Sequence, residues 1–377
     1  MDFIRLNALY LGGALVCVAL ARYIYAGLTN PLSNIPGPWY TRFTTLVSTY
    51  FVITAHHPDW VHALHEKYGP AVRISPHEVD ISDAPACQRV IHSVKGGFLK
   101  SPFYSLLITD SSSVFNEIRP EIHRKYKRLL SNPMSETGLK TFLPRIDGKV
   151  RLAIERIREE NKTRGAADVA KWFMFLSFDV IGDLTFGEGF GQLESGQQGE
   201  DTKPTVFSRL YTAGAEDTWS PIEIRDNAQV FIVGGSDTTA NSMIYLIWCI
   251  CKLPDVKSKL LKELATIPED FSYDDLRDMP YLNWCVNETL RLYNALPCGL
   301  PRIVPEGGVE LAGQFIPGGA LHRDEEAFPD PYRFNPDRWE HTTQDMRDCT
   351  LPFGGGARSR SCVHHHGDIS WLFSSWY

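Results

Sequence analysis

The residues best equipped for chemistry lie in Phe231-Ile232-Val233-Gly234-Gly235-Ser236-Asp237-Thr238-Thr239, where an acid and an alcohol stand beside two adjacent glycines between apolar flanks. A glycine inside a helix costs about 1 kcal/mol relative to alanine, so two in a row need an offset. Two offsets fit. A second helix can pack closely against the glycines, with the hydroxyls bonded back to the preceding turn. Alternatively, the missing side chains can widen a groove that holds a small ligand beside Asp237 and Thr238. Further along, Glu288-Thr289-Leu290-Arg291 puts a carboxylate and a guanidinium three residues apart on one helix face. At a surface such a pair is worth only a few tenths of a kcal/mol. Late in the chain, Cys362 closes the run Phe353-Gly354-Gly355-Gly356-Ala357-Arg358-Ser359-Arg360-Ser361-Cys362. By itself a cysteine behind glycines is an ordinary free thiol.

Helices must carry most of these groups. Ser220-Pro221-Ile222-Glu223 combines a capping serine, a proline at the first helical position and a glutamate three after the cap, and Pro254 supplies a stop. The helix between them is about 48 Å long, enough to run through the middle of a domain. Apolar spacing of three and four predicts further helices at Pro58–Tyr68, Glu121–Leu130, Arg145–Glu159 and Ala166–Leu184. The Glu288–Arg291 pair falls on a helix that starts with Pro280 in its first turn and ends before Pro297. Strands are expected at Ala71–Ile81, around a turn at Ser75–Glu78, and at Val309–Ile316. The fold class is mostly α with a small β region.

With 38 basic against 45 acidic residues and no long basic run, a nucleic-acid-binding surface has little electrostatic support. The eight cysteines lack the spacing of a zinc module or the density of a disulfide scaffold. No repeat or polar linker divides residues 39–377, which read as one domain. The amino-terminal stretch Leu6–Leu28 carries one charge, Arg22, and at about 1.5 Å per residue spans a hydrocarbon core. Residues 1–28 therefore read as a transmembrane anchor. A cleaved leader, and with it a secreted protein, is the competing reading. Three prolines and a glycine in residues 29–38 exclude a continuing helix and read as a stiff hinge.

Four motifs together resemble the cytochrome P450 family of haem-thiolate monooxygenases, in the membrane-bound form typical of fungi. Gly234–Thr239 resembles the family's oxygen-activation stretch and Glu288-x-x-Arg291 its Glu-x-x-Arg pair. Phe334-Asn335-Pro336-Asp337-Arg338-Trp339 resembles the segment whose arginine completes a three-residue ion network with that pair. Residues 353–362 resemble its cysteine-ligand loop. The resemblance implies a P450-like fold with haem b as cofactor and Cys362 as the axial ligand of the iron. Gly356 would then allow close backbone approach, with Arg358, Arg302 and Lys127 on the propionates. Asp237 and Thr238 would pass protons, through water, to the dioxygen being cleaved, and Glu288, Arg291 and Arg338 would form the structural network. Lys127 lies in His123-Arg124-Lys125-Tyr126-Lys127-Arg128, which by itself reads as a solvated basic face and in the family also meets the reductase. The implied partners are an NADPH-cytochrome P450 reductase, an apolar substrate, such as a secondary-metabolite precursor, and the endoplasmic reticulum membrane, with the catalytic domain cytosolic.

The sequence departs from the family pattern in three places. Leu193–Ser220 offers a polar stretch in place of the helices that roof the substrate pocket. A short strand expected between Pro317 and His322 is lacking, which predicts an incomplete sheet. Counting from Phe353, the cysteine position falls on Arg360, so Cys362 comes two residues late. These departures motivate an alternative, a haem-free, membrane-tethered interaction protein that keeps parts of the fold.

Overall fold

The computed structural model describes residues 2–82, 90–91, 97–108, 110–131, 140, 142–196, 220–268, 271–293, 295, 301–317, 321–324, 333–343 and 346. They are mostly helical with a few short strands, and they fall in two compact units, residues 1–101 with 298–327 and residues 102–297 with 328–377.

In the first unit come α1 (Asp2–Thr29), a 3-10 turn at Trp39–Arg42, α2 (Leu46–Ile53), α3 (His57–Tyr68) and strands β1 (Ala71–Arg73), β2 (Glu78–Ile81), β3 (Leu99–Lys100), β4 (Arg302–Ile303), β5 (Val309–Leu311), β6 (Gln314–Ile316) and β7 (Leu321–Asp324). One sheet runs β1-β2-β7-β4-β3, with β2 and β7 parallel, and β5 and β6 form a separate hairpin. The hairpin turns at Ala312 and Gly313, both at positive φ (50° and 70°), the conformation of a two-residue turn that matches strand twist. Leu321–Asp324 is itself the central strand, pairing Val79 with His322 on one side and Arg302 with His322 on the other. Its polar sequence gives no strand signal, because a ladder made by backbone groups needs none.

From Tyr10 to Thr29, α1 is long and apolar enough to cross a membrane, and 6% of that stretch is buried. Residues 30–38 are clasped against the sheet. Arg73, 1% exposed, donates from Nη1 to the carbonyls of Leu32 and Ile35 (2.9 and 2.8 Å), and its backbone N–H reaches Pro36 O at 2.7 Å. A Cβ on Gly37 would lie 2.6 Å from Arg73 O, so the close approach requires glycine. Burial, and after it the charge of Arg42, lowers the Arg73 guanidinium to about 10, which leaves it charged at neutral pH. Leu32 and Ile35 complete the apolar cluster over Ala71, Val79 and Ile81.

The second unit contains α4 (Pro120–Ser131), α5 (Leu143–Arg164), α6 (Val169–Phe186), α7 (Gln192–Ser195), α8 (Pro221–Lys252), α9 (Pro254–Leu264), α10 (Tyr273–Arg277), α11 (Pro280–Leu292) and a 3-10 turn at Pro336–His341. Its core joins Val150 and Ala153 of α5, Phe173 and Leu176 of α6, Met243 and Leu246 of α8, and Cys285 and Leu290 of α11. The capping box expected at Ser220 is formed in full: the serine hydroxyl accepts from Glu223 N–H, and the Glu223 carboxylate accepts from Ser220 N–H. Pro254 ends α8 and occupies the first turn of α9.

Candidate active site

The long helix α8 has two unlike sides. Ser236, Ala240, Met243 and Leu246 are buried toward the core, whereas Val233, Gly234, Asp237, Asn241, Tyr245 and Trp248 are exposed. The two glycines divide the work. A Cβ on Gly235 would lie 2.7 Å from Ile181 Cδ1 on α6, so this glycine lets the two helices pack closely. A Cβ on Gly234 would meet nothing within 4 Å, so this glycine keeps the opposite side bare. The packing reading is realised at Gly235, while Gly234 faces open space. Substitutions should separate them. Gly235→Val should destabilise by roughly 1–3 kcal/mol through overpacking against Ile181, while Gly234→Ala should stabilise by up to about 1 kcal/mol through helix propensity. Urea unfolding of the two variants measures the difference, and equal effects would contradict the division.

Thr238, half-buried, donates its hydroxyl proton to Gly234 O at 2.5 Å, and Ser236 donates to Ile232 O at 2.7 Å. The back-bonding expected of these hydroxyls is present. With its proton committed to Gly234, the Thr238 oxygen keeps its lone pairs as acceptors for a donor approaching α8. Asp237, on the exposed side one residue earlier, offers an ionisable group open to water.

Two residues that sequence reasoning missed pin a loop onto the start of this helix. Asp226 and Asn227, 3% and 1% exposed, accept from the backbone N–H groups of Ser111 (2.5 Å) and Val114 (2.8 Å). The sequence offers no distinct signal for this pair, because Glu223, Arg225 and Gln229 around it are polar as well. The loop is closed from its other end by Glu117, which accepts from Ser112 Oγ and from Arg119 Nε and Nη2. Burial pushes the Glu117 carboxyl up, but the hydrogen bonds from Arg119 and Ser112 outweigh it and bring the group to about 2. On α4, the Tyr126 hydroxyl donates to Glu223 Oε1 at 2.8 Å, which ties the basic helix to α8. Its neighbour Lys127 is half-buried, and Arg124 and Arg128 are exposed.

Glu288, Arg291 and Arg338 are brought together. Glu288 is fully buried, with side-chain exposures of 0% for itself, 2% for Arg291 and 10% for Arg338. Arg291 grips it as a fork, Nε to Oε2 at 2.9 Å and Nη2 to Oε1 at 3.1 Å, and Arg338 Nε reaches Oε1 at 3.0 Å. The sequence did not show that Asn335 N–H (2.8 Å) and the Trp339 indole N–H (3.0 Å) also donate to this carboxylate. One anion between two cations leaves a positive excess, which the carbonyl of Arg333 offsets by accepting from Arg338 Nη2 at 3.2 Å. A buried charge is tolerated only when paired and saturated with hydrogen bonds, and the described residues give this one five donors. The helix holding it is itself fixed by Glu263 of α9, whose two carboxylate oxygens cap the free N–H groups of Tyr281 and Leu282, each at 2.8 Å.

Arg302 lies in β4 of the first unit, opposite Lys100 and His322 in backbone register. Gly356, Arg358 and Cys362 lie outside the described residues, as does the polar stretch from 197 to 219. On its exposed side α8 presents Gly234, where a Cβ would meet nothing within 4 Å, with apolar Val233 and acidic Asp237 beside it.

Comparison with known proteins points in one direction. The family model described as Cytochrome P450 matches residues 36–204 and 205–363. The chain is 35% identical over 426 aligned positions to the cytochrome P450 monooxygenase orf2 of Aspergillus niger, covering 94% of this chain and 86% of that protein. It is 36% identical over 440 positions to the cytochrome P450 monooxygenase tazI of Aspergillus terreus, covering 97% and 89%. To the cytochrome P450 monooxygenase azaI of Aspergillus niger it is 33% identical, covering 78% and 82%. An alignment of 426 positions exceeds the 377 residues available here, so the first of these relatives carries stretches that this chain lacks.

Proposed function

The chain belongs to the cytochrome P450 family of monooxygenases, and from that premise we propose that it is a membrane-anchored enzyme that uses haem b to hydroxylate or otherwise oxidise an apolar small molecule of secondary metabolism. Electrons come from NADPH through NADPH-cytochrome P450 reductase, docked on the basic face around Lys127. Residues 1–28 anchor the chain in the endoplasmic reticulum membrane by a single span, residues 29–38 connect, and residues 39–377 form the cytosolic catalytic domain.

The observation that carries this reading is the two-sided build of α8. One side is packed through Gly235, and the other is left bare at Gly234 beside Asp237, with the Thr238 hydroxyl oriented by the Gly234 carbonyl. By family resemblance Cys362 holds the iron, Gly356 admits the macrocycle, and Arg358, Arg302 and Lys127 hold the propionates. Haem bound through a thiolate supplies the activation of dioxygen. The chain's own residues handle protons and position. Asp237 exchanges protons with water at the exposed side of α8. Thr238 accepts a hydrogen bond from a water there and can donate in turn by releasing Gly234 O, which makes it one step of a relay. Glu288, Arg291 and Arg338 fasten residues 333–339, the segment that leads into the ligand loop.

Membranes from cells expressing the full chain with added hemin, reduced and treated with carbon monoxide, test this. We expect the red-shifted Soret band of thiolate-ligated haem, lost in Cys362→Ala. A flat difference spectrum beside good expression would instead support the haem-free, membrane-tethered protein that the late position of Cys362 motivates.

A further inference from the structure

The side of α8 that is open at Val233 and Gly234 is closed two turns earlier. Seven residues carry a helix round by almost two full turns and about 10 Å along its axis. Asp226 and Asn227 therefore stand in line with Val233 and Gly234, with apolar, half-buried Val230 between the two pairs. Val233 is 58% exposed, whereas Asp226 and Asn227 are buried. What covers them is the loop at residues 110–117, held through the N–H groups of Ser111 and Val114. Burial pushes the Asp226 carboxyl up, but the hydrogen bonds from Ser111 and Arg225 outweigh it and keep the group below the usual carboxylate range. Asp226 thus grips the loop as an anion, and Arg225 adds a bond to Asp110.

The pinned loop carries an apolar turn with it. A 3-10 turn at Pro102–Leu107 exposes Phe103, Leu106 and Leu107 by 40%, 80% and 45%. Its buried Tyr104 packs edge-on against Phe115 of the loop, with ring centroids 5.7 Å apart. Asn116 ties the two together: its Nδ2 donates to Leu107 O at 2.9 Å, and its Oδ1 accepts from Ser113 N–H at 2.6 Å. Scattered exposed apolar residues need no explanation, but three within one turn mark a contact surface. The occupant that fits is an apolar small molecule, because the strip of α8 at whose end the loop stands also bears Asp237, three residues past Gly234.

We propose that Asp226 and Asn227 are positioning residues that set the selectivity of the enzyme: by fixing residues 111–117 they hold the turn at Pro102–Leu107 as an end wall for an apolar substrate seated on α8. The inference rests on the function proposed above for the open side of α8. To test it, the full chain is produced with added hemin and solubilised from membranes, and two quantities are measured. Hydrogen exchange of residues 102–117 should quicken about tenfold in Asp226→Leu and in Asn227→Ala, the worth of one hydrogen bond, while α11 exchanges as in the parent. Soret shifts give the affinities for 1-methylimidazole and 1-dodecylimidazole, and the preference for the long-chain azole should fall about tenfold in both variants. Asp226→Asn keeps an oxygen acceptor and should match the parent in both measurements. Phe103→Ser with Leu106→Ser alters exposed side chains that folding does not need, and should lower the same preference with the pins intact. Faster loop exchange with an unchanged preference overturns the assignment to selectivity, as does a parental preference in the Phe103–Leu106 double variant. Unchanged exchange in Asp226→Leu and Asn227→Ala shows that they do not position the loop. A parent chain whose Soret band responds to neither azole overturns the proposed function, and this inference with it.

Discussion

Glu288→Ala should lower the stability of the folded chain by roughly 3–5 kcal/mol, the cost of breaking a buried ion pair by removing one partner. The reason is what remains behind. The forked guanidinium of Arg291, the Nε of Arg338, the indole of Trp339 and the N–H of Asn335 all donate to this carboxylate and would lose that acceptor together. Two cations would face one another, with the Arg333 carbonyl as an acceptor they share among the described residues. A double-mutant cycle distinguishes this account from a simple loss of packing. Trp339→Phe alone removes one hydrogen bond and should cost about 1 kcal/mol. In the Glu288→Ala background the same change removes an orphaned donor and should cost less, with a coupling of about 0.5–3 kcal/mol. Denaturant midpoints for the four chains give the answer. An unfolding free energy for Glu288→Ala within about 1 kcal/mol of the parent would show that the carboxylate is not the hub.

The second large effect concerns rate and leaves stability nearly untouched. Asp237→Asn should lower turnover of any substrate the parent oxidises by about 10²–10⁴, the usual worth of a positioned proton donor, while unfolding shifts by no more than about 0.5 kcal/mol because the side chain is exposed. Thr238→Ala should behave alike. Among the described residues its hydroxyl bonds to the preceding turn of the helix, and alanine is the better helix former. The readout that separates proton handling from a structural role is the pH and solvent-isotope dependence of product formed per NADPH consumed. Thr238→Ser, which keeps the hydroxyl, should restore most of the activity. If Asp237→Asn and Thr238→Ala instead lost stability in step with activity, the relay assignment would fail.

Much of this protein is written locally. The start of α8 is encoded in Ser220, Pro221 and Glu223, because a capping box satisfies its donors within four residues. The helix that carries Glu288 begins at Pro280 for a similar reason, since a proline at the first turn loses no hydrogen bond. The spacing of Glu288 and Arg291 places both on one face whatever the rest of the chain does. The strands at 71–73 and 78–81 likewise follow from a short-range turn and alternation, whereas the turn at Ala312-Gly313 splits the strand expected over 309–316 without such a signal.

Other features depend on residues far apart in sequence, and only the folded chain decides them. The sequence could not say which of Gly234 and Gly235 packs and which stays bare, because that depends on where Ile181 of another helix falls. Nor could it show that Asn335 and Trp339 complete the shell of a carboxylate 47 and 51 positions earlier. Leu321–Asp324 becomes a central strand only because β2 and β4 present unpaired backbone groups on either side. The prolines of residues 30–38 restrict φ by themselves, but it takes the buried fork of Arg73 to turn that stretch into a clasp. Local hydrogen bonds and side-chain period are properties of neighbours in the chain and can be read from it. Burial, charge saturation and close approach are properties of neighbours in space and exist only once the chain has folded.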